Sequence, residues 1–436
     1  MIDIVFVNTN SSKKVYQDLA DKWSAIEPPF WSLLLAESCR SKGYGVAILD
    51  AIAENLTHEE TARRIVDLNP KFCCFVTYGS NPNSSTTFMV GVYEVAKLLK
   101  DSVVGIQTIS IGNHTSALPQ EVLSNKDIDF VTLNEGVYAL HKLLDGVSYR
   151  DIPGLGYKNN EYPQGIVNNG LNSLVPQERM DIDLPGYSWD LLPFKNKPFD
   201  LYRSHNWHVG YLEKDRTPFS SVYSSLGCKF KCNFCMINTI NRTDASEGVH
   251  AANSSLMRFW SPEHMIKIFD ELVVKYGVTT IRILDEMFFL NKKYYEPLLL
   301  MLKDRGYGKI LKMWTYARID TVNERFLDLF REGGVQWLAL GIEAANQEIR
   351  REIYKGKFQD LNIRDVVKEI KDHGMNAGCN YIFGHPEEKL EHMQETLDLA
   401  LELNGEFANF YTAMALPGSP LYYEAKHNGW MLPETP

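Results

Sequence analysis

Cys228, Cys232 and Cys235 lie in the stretch Gly227-Cys228-Lys229-Phe230-Lys231-Cys232-Asn233-Phe234-Cys235. The spacing CxxxCxxC supplies three thiolates, one fewer than an iron–sulfur cluster needs, so one iron is left without a protein ligand. An iron with an open position can be chelated by a small molecule, and a loop this tight wraps a cubane without help from distant cysteines. The expectation is therefore a reactive 4Fe-4S cluster rather than a passive one. A structural zinc site is the plainer alternative, but zinc prefers four ligands in paired CxxC knuckles.

The elements around this loop set up the rest of the chemistry. From Phe219 onward strands and helices alternate. Ser220–Ser224 leads into the cysteine loop, and Ser261-Pro262 opens a helix with an N-cap and a proline in its first turn. Thr279–Leu284, Leu311–Tyr316, Gln336–Leu340, Asn376–Phe383 and Glu406–Thr412 are strand candidates separated by helical stretches. In parallel barrels the chemistry sits at strand C-terminal ends. Polar residues fall at these ends: Asp285 and Glu286, Arg318, Glu343, and His385 to Glu387.

Residues 1–150 alternate short apolar runs with helical periods, the pattern of a doubly wound parallel sheet. Ile2–Val7, Gly45–Leu49, Phe72–Thr77, Thr108–Ile111 and Phe130–Leu133 read as strands, and Pro29–Lys42 as a helix. Ligands of such sheets bind beyond the carboxyl ends of the strands. Those ends carry Asn8-Thr9-Asn10, Tyr78-Gly79-Ser80-Asn81, Gly112-Asn113-His114-Thr115 and Asn134-Glu135-Gly136, small and polar residues that permit close backbone approach. A nicotinamide site fits poorly, because no GxGxxG follows the first strand. Residues 151–215 are rich in turn formers and read as an interdomain linker with a small hairpin. Trp207 and His208, close before the cysteine loop, suit either packing or the lining of a site.

At 436 residues the chain has room for two or three domains. A hydrophobic content of 44% and a charged content of 23% describe a globular protein. No apolar run is long enough to span a bilayer, and the start MIDIVFVNTN lacks the basic region of a signal peptide. Seven cysteines in so large a chain make a disulfide framework improbable, and a cytoplasmic, reducing location is expected. Cys73 and Cys74 read as buried strand filler. A net charge of -10 disfavours a nucleic-acid surface.

The loop, with Phe234 before its last cysteine, resembles the CxxxCxΦC motif of radical S-adenosylmethionine (SAM) enzymes. The resemblance implies that the open iron binds the methionyl amino and carboxylate groups, and that the reduced cluster cleaves SAM to a 5′-deoxyadenosyl radical. Phe234 would then lie against the adenine. Asp285 and Glu286 stand at the family's acidic motif for the SAM amino group, which suits a charge-assisted pair. Arg318 would neutralise the methionyl carboxylate. Glu343, in Leu340-Gly341-Ile342-Glu343-Ala344, resembles the fourth-strand motif whose acid reaches the ribose or amino acid part of SAM. Ile382 and Glu387, in Ile382-Phe383-Gly384-His385-Pro386-Glu387, resemble the adenine-contacting motif, with Asn380 where glycine is more usual. Leu416-Pro417-Gly418-Ser419-Pro420-Leu421-Tyr422 matches a segment near the sixth strand.

Residues 1–150 resemble the cobalamin-binding domain fused to many of these enzymes. The likeness rests on Glu27-Pro28-Pro29, Gly43-Tyr44 through Asp50, Gly112 through Pro119, Asp129-Phe130-Val131 and Asn134-Glu135-Gly136. It implies cobalamin contacts at Tyr78, Gly79, Ser80, Gly112, Asn113, His114, Glu135 and Gly136. The DxHxxG motif that places a histidine beneath cobalt is absent, so His114 is expected to contact the ligand or brace its loop without coordinating cobalt. The implied fold is α/β: a doubly wound Rossmann-like cobalamin-binding domain (1–150), a linker (151–215) and a partial (β/α)6 radical SAM barrel (216–436). The implied function is a cobalamin-dependent methyltransferase acting on an unactivated carbon of a small molecule or peptide, through a 5′-deoxyadenosyl radical and methylcobalamin. A one-electron reductant such as flavodoxin or ferredoxin is the implied partner. A cyclisation or rearrangement with the same cofactors, and a non-catalytic iron–sulfur protein, are the other readings. A methylthiotransferase acting on tRNA fits poorly, since neither cysteines for a second cluster nor a basic RNA-binding module is evident. The short tail after Tyr422 suggests either a missing small C-terminal domain or a truncated chain.

Overall fold

The computed structural model describes residues 1–12, 17, 23–79, 81–102, 105–159, 161, 165–170, 173–241, 256–354, 361–430 and 432. They form two compact units, one of residues 1–202, 235–256 and 416–436, the other of residues 203–234 and 257–415. No helix among the described residues is long and apolar enough to cross a membrane.

The first unit is built on five parallel strands, β1 (Ile4–Asn8), β2 (Val46–Asp50), β3 (Phe72–Val76), β4 (Gln107–Ile111) and β5 (Phe130–Thr132). Their spatial order is β2-β1-β3-β4-β5. β1 and β3 are buried along their whole length, as unbroken apolar runs must be when helices cover both faces of a parallel sheet. Helices His58–Leu68 and Ser85–Ser102 cover one face, and Val5, Phe75, Ile65, Val92 and Val95 meet in its core. The first of these helices starts at a capping box, in which Thr57 Oγ1 accepts from Glu60 N–H (3.2 Å) and Glu60 Oε2 from Thr57 N–H (2.9 Å). Winding reverses between β1 and β3, and such a switch point is where doubly wound sheets take their ligands.

The hairpin expected after residue 150 is present as β6 (Leu155–Lys158) and β7 (Ile166–Asn168), which extend this sheet by antiparallel pairing with β5. The following segment also belongs to the first unit. Arg40 holds both oxygens of Asp190 (2.7 and 2.9 Å), and the Tyr202 hydroxyl donates to Asp50 Oδ2 (3.0 Å). Helix Pro420–Asn428 joins the same unit behind an N-cap in which Ser419 Oγ accepts from Tyr422 N–H (3.2 Å). Cys73 and Cys74 fill β3, and burial raises both thiols well above their ordinary value.

The second unit carries six parallel strands: β8 (Phe219–Val222), β11 (Thr280–Ile283), β12 (Lys312–Arg318), β13 (Val335–Glu343), β14 (Asn376–Phe383) and β15 (Phe407–Thr412). They lie in chain order from β8 to β15 as an open sheet. β9 (Ser225–Gly227) pairs with β10 (Met257–Phe259) as a separate antiparallel ribbon that leads into the cysteine loop. At the start of the strands Trp207, Trp314 and Trp337 pack together. The Arg282 guanidinium lies 4.5 Å from the Trp314 ring centroid and donates to Tyr316 Oη (2.7 Å). Trp207 and His208 belong to this packing, with His208 Nε2 bonded to Lys312 O (2.9 Å).

Candidate cofactor-binding site

In the second unit β9 delivers the chain to Cys228, which is buried, and then to Cys232, which is half-buried. Phe230 N–H points at Cys228 Sγ (3.5 Å), and Asn233 N–H donates to Ile353 O (3.0 Å). Burial pushes the Cys228 thiol up to about 12 and raises Cys232 as well. Glu286 and Arg318 act electrostatically on Cys228, and Arg318 and Glu343 on Cys232. Two of the expected cluster cysteines, Cys228 and Cys232, are thus neighbours of three of the expected SAM residues. Cys235 is half-buried and follows one residue after the second unit's segment ends. Among the described residues no three His, Cys, Asp or Glu side chains converge on one ion. A cubane places its cysteines on separate irons, so a cluster does not require the three thiols to meet at one ion. Iron would bind with loss of the thiol protons.

Arg318 ends β12 with its guanidinium 3.6 Å from the Phe230 ring centroid and 4.3 Å from that of Tyr354. Asp320 grips it with both carboxylate oxygens. The cation therefore braces the cysteine loop, and its charge is shared with Asp320 before any ligand arrives.

The two acids after β11 do different work. Asp285 is fully buried: Oδ1 accepts from Ser224 N–H, and Oδ2 from the hydroxyls of Ser224 and Ser225, each at 2.6 Å. It ties β8 to the ribbon that carries the cysteines. Glu286 is half-buried, and burial pushes it up to about 7 against the pull of Arg282. An ammonium group arriving there would restore the ionised form.

Glu343 closes β13 with φ at +64°, a left-handed conformation uncommon for a residue other than glycine. The register with β14 slips between Gly341 and Glu343, and such bulges turn a side chain toward a site. A methyl group on Gly341 would stand 2.6 Å from Glu343 Oε1, so glycine is what leaves room for the carboxylate. Tyr354 Oη donates to Oε1 (3.3 Å), and burial pushes the acid up to about 8.

Near the end of β14 Ile382 is buried, and in the turn that follows Glu387 is exposed. The turn is held by Glu388, whose Oε2 accepts from Gly384 N–H (2.6 Å) and His385 N–H (3.3 Å). Phe234, half-buried, has its ring centroid 6.2 Å from that of His385. Tyr354, Asp320 and Glu388 were not singled out by sequence. Asp320 stands two residues after Arg318, the one sequence signal that could have found any of them.

In the first unit, the loops after β3, β4 and β5 are joined to one another. Tyr78 Oη donates to Asn134 O (2.9 Å) and its ring stacks on Trp31 (4.2 Å). Gly79, Gly112 and Gly136 have φ of +70°, +146° and +69°. A Cβ on Gly112 would lie 2.4 Å from Thr77 Oγ1 and 2.7 Å from Thr77 C and O, so only glycine lets the β3 and β4 loops come this close. Glu135 is buried and accepts from Val175 N–H (3.0 Å). Asn113 donates to Met236 O (3.1 Å) and Thr239 Oγ1 (3.0 Å). His114 is wholly buried, with Nδ1 3.1 Å from Thr86 Oγ1, and burial lowers it to about 4. That places its ring inside the fold as a brace. Ser80 lies outside the described residues.

Residues 222–400 match the family model of the radical SAM superfamily, and residues 16–144 that of the B12 binding domain. An uncharacterized methyltransferase of Pyrococcus horikoshii is 30% identical over 417 residues, covering 93% of this chain and 80% of the relative. The chain belongs to the B12-binding radical SAM proteins. An anaerobic magnesium-protoporphyrin IX monomethyl ester cyclase of Cereibacter sphaeroides is 21% identical over 443 residues, covering 97% of this radical SAM chain and 63% of the relative. The solved structure of the radical SAM methyltransferase TsrM from Kitasatospora setae, with tryptophan and a SAM analogue bound, superposes with a TM-score of 0.72 at 16% identity, covering 98% of this chain and 76% of that one. This last likeness is one of fold. The family's cofactors, a 4Fe-4S cluster, SAM and cobalamin, are those expected from the sequence, and the open parallel sheet matches the partial barrel.

Proposed function

We propose that this radical SAM protein is a cobalamin-dependent methyltransferase that acts on an unactivated carbon of a small molecule or peptide, with a one-electron protein reductant as partner. The observation that carries the reading is the gathering of Cys228, Cys232, Glu286, Arg318 and Glu343 in one sheet-end cluster, on a chain that also carries the B12-binding sheet. When bound, these cofactors supply a carbon-centred radical and a methyl group. The protein's share is binding and orientation.

Cys228, Cys232 and Cys235 would hold the cluster. Glu286, raised by burial against the pull of Arg282, would ionise as it takes the SAM ammonium, Glu343, raised by burial as well, would reach the ribose or amino acid part of SAM, and Arg318 and Asp320 would keep the cysteine loop in place. Phe234 and Ile382 would flank the adenine. The loops at 77–81, 112–115 and 134–136 would line the cobalamin crevice, with His114 packed beneath one of them and not on cobalt. The radical SAM partial barrel is proposed as residues 216–436 and the cobalamin-binding domain as 1–150, joined through the linker 151–215.

The name of the cyclase relative keeps a rearrangement open as the second reading. Full-length protein reconstituted anaerobically with iron, sulfide and hydroxocobalamin decides between them. Given reductant and methyl-labelled SAM, a methyltransferase forms S-adenosylhomocysteine only when hydroxocobalamin has been loaded. Formation of 5′-deoxyadenosine without any S-adenosylhomocysteine would overturn methyl transfer and leave the rearrangement.

A further inference from the structure

The residue immediately after the last cluster cysteine is held by the cobalamin-side loops. Met236 is fully buried. Its N–H donates to Asn83 Oδ1 (3.1 Å), and its carbonyl accepts from Asn113 Nδ2 (3.1 Å). Thr239 adds its hydroxyl to the same carbonyl (2.8 Å) and accepts from Asn113 (3.0 Å). Both polar groups of one peptide residue are therefore bonded by side chains far away in sequence, and all of these residues belong to the first unit.

The two asparagines stand on a shelf of loops bonded to one another. Asn83 lies in the turn Pro82–Ser84 after β3 and Asn113 directly after β4. Thr77 Oγ1 donates to Ile111 O (2.9 Å), Ser85 Oγ accepts from His114 N–H (2.9 Å), and Gly112 allows the loops to touch. Both asparagines follow carboxyl ends of parallel strands, the side of the sheet on which such folds take their ligands. Whatever shapes the shelf acts on Met236, and Met236 is joined to Cys235 by a single peptide bond.

We infer that Asn83 and Asn113 are positioning residues that couple cobalamin binding to the cluster through the Met236 peptide. This inference rests on the cobalamin reading proposed above. Coupling of this kind is reciprocal: a cluster that fixes Cys235 fixes Met236, holds the shelf in its binding shape and tightens cobalamin. A merely structural pair of asparagines would change stability without making one ligand's affinity depend on the other.

The test uses the full chain under anaerobic conditions, with hydroxocobalamin as the probe and its dissociation constant read from quenching of intrinsic fluorescence. The cluster-loaded protein should bind about fivefold or more tightly than the cluster-free protein. Asn113→Ala and Asn83→Ala should bring that ratio close to one, while Asn83→Asp, which keeps an acceptor for Met236 N–H, should retain it. Equal affinity with and without the cluster in the unaltered protein would overturn the coupling, as would a ratio that survives in both alanine variants. If Asn113→Ala fails to fold, the Asn83 pair decides. Failure of the unaltered protein to retain hydroxocobalamin in either form would instead overturn the cobalamin reading itself.

Discussion

Gly341 and Glu343 share one small space: the carboxylate of Glu343 occupies the place a side chain at 341 would need, with Oε1 2.6 Å from the position of a Cβ. The contact forms because β13 bulges there and Glu343 takes a positive φ.

Gly341→Ala should therefore displace the carboxylate without unfolding the unit, since the atom it meets is the end of a side chain and not backbone. SAM affinity, measured by calorimetry on cluster-loaded protein, should fall about tenfold or more, the scale of one charge-assisted hydrogen bond. Glu343→Gln should fall similarly. Unchanged affinity in both variants would mean that the acid does not face SAM.

Asp285 and Glu286 should separate cleanly. Asp285→Asn puts an amide N–H against donors that now meet the carboxylate, and the loss of buried charge-assisted bonds should lower stability by about 2–3 kcal/mol and reduce iron incorporation. Glu286→Gln should leave iron content intact and weaken SAM. Iron counts and SAM titrations on the two variants check the division.

Gly112→Ala should be among the most damaging changes in the first unit. It combines a φ of +146° with contacts of 2.7 Å to the backbone of Thr77, for a cost of about 2 kcal/mol or more. Thermal unfolding should shift downward, and hydroxocobalamin retention through gel filtration should be lost.

The pH dependence of stability should carry the mark of Asp50. Burial raises this carboxyl from 3.8 to about 6, partly offset by bonds from Asn8, Ala53 and Tyr202. The folded state keeps the proton longer than the unfolded chain, so the stabilisation is complete below about 4 and is lost as pH rises through about 6. The size is at most about 3 kcal/mol. Urea midpoints at pH 4.5 and 7.5 should differ less in Asp50→Asn than in the unaltered protein.

The strands were legible because buried parallel strands are written as apolar runs: Asn376–Phe383 and Phe72–Val76 stand where those runs predict. The candidate site was legible as a set of residue types at strand ends, but not in its division of labour. Local sequence around Leu340 does not announce a bulge, so the strand was read as ending there, whereas it continues to Glu343. Whether Asp285 faces a ligand or Ser224 depends on contacts 61 residues away. Glu387 and Glu388 differ by one position, and only the turn after β14 decides which carboxylate holds it.

The sequestered thiols have a practical consequence. Cys39, Cys73, Cys74 and Cys379 are buried and all raised in pKa, Cys39 to about 12 and Cys379 to about 11. Thiolate is the nucleophile, so these four are poor targets for alkylation at neutral pH. In folded protein stripped of its cluster, an alkylating reagent should mark Cys235, the half-buried last cysteine of the loop, ahead of these four. The mass added per chain then becomes an internal gauge of cluster occupancy that needs no spectroscopic standard.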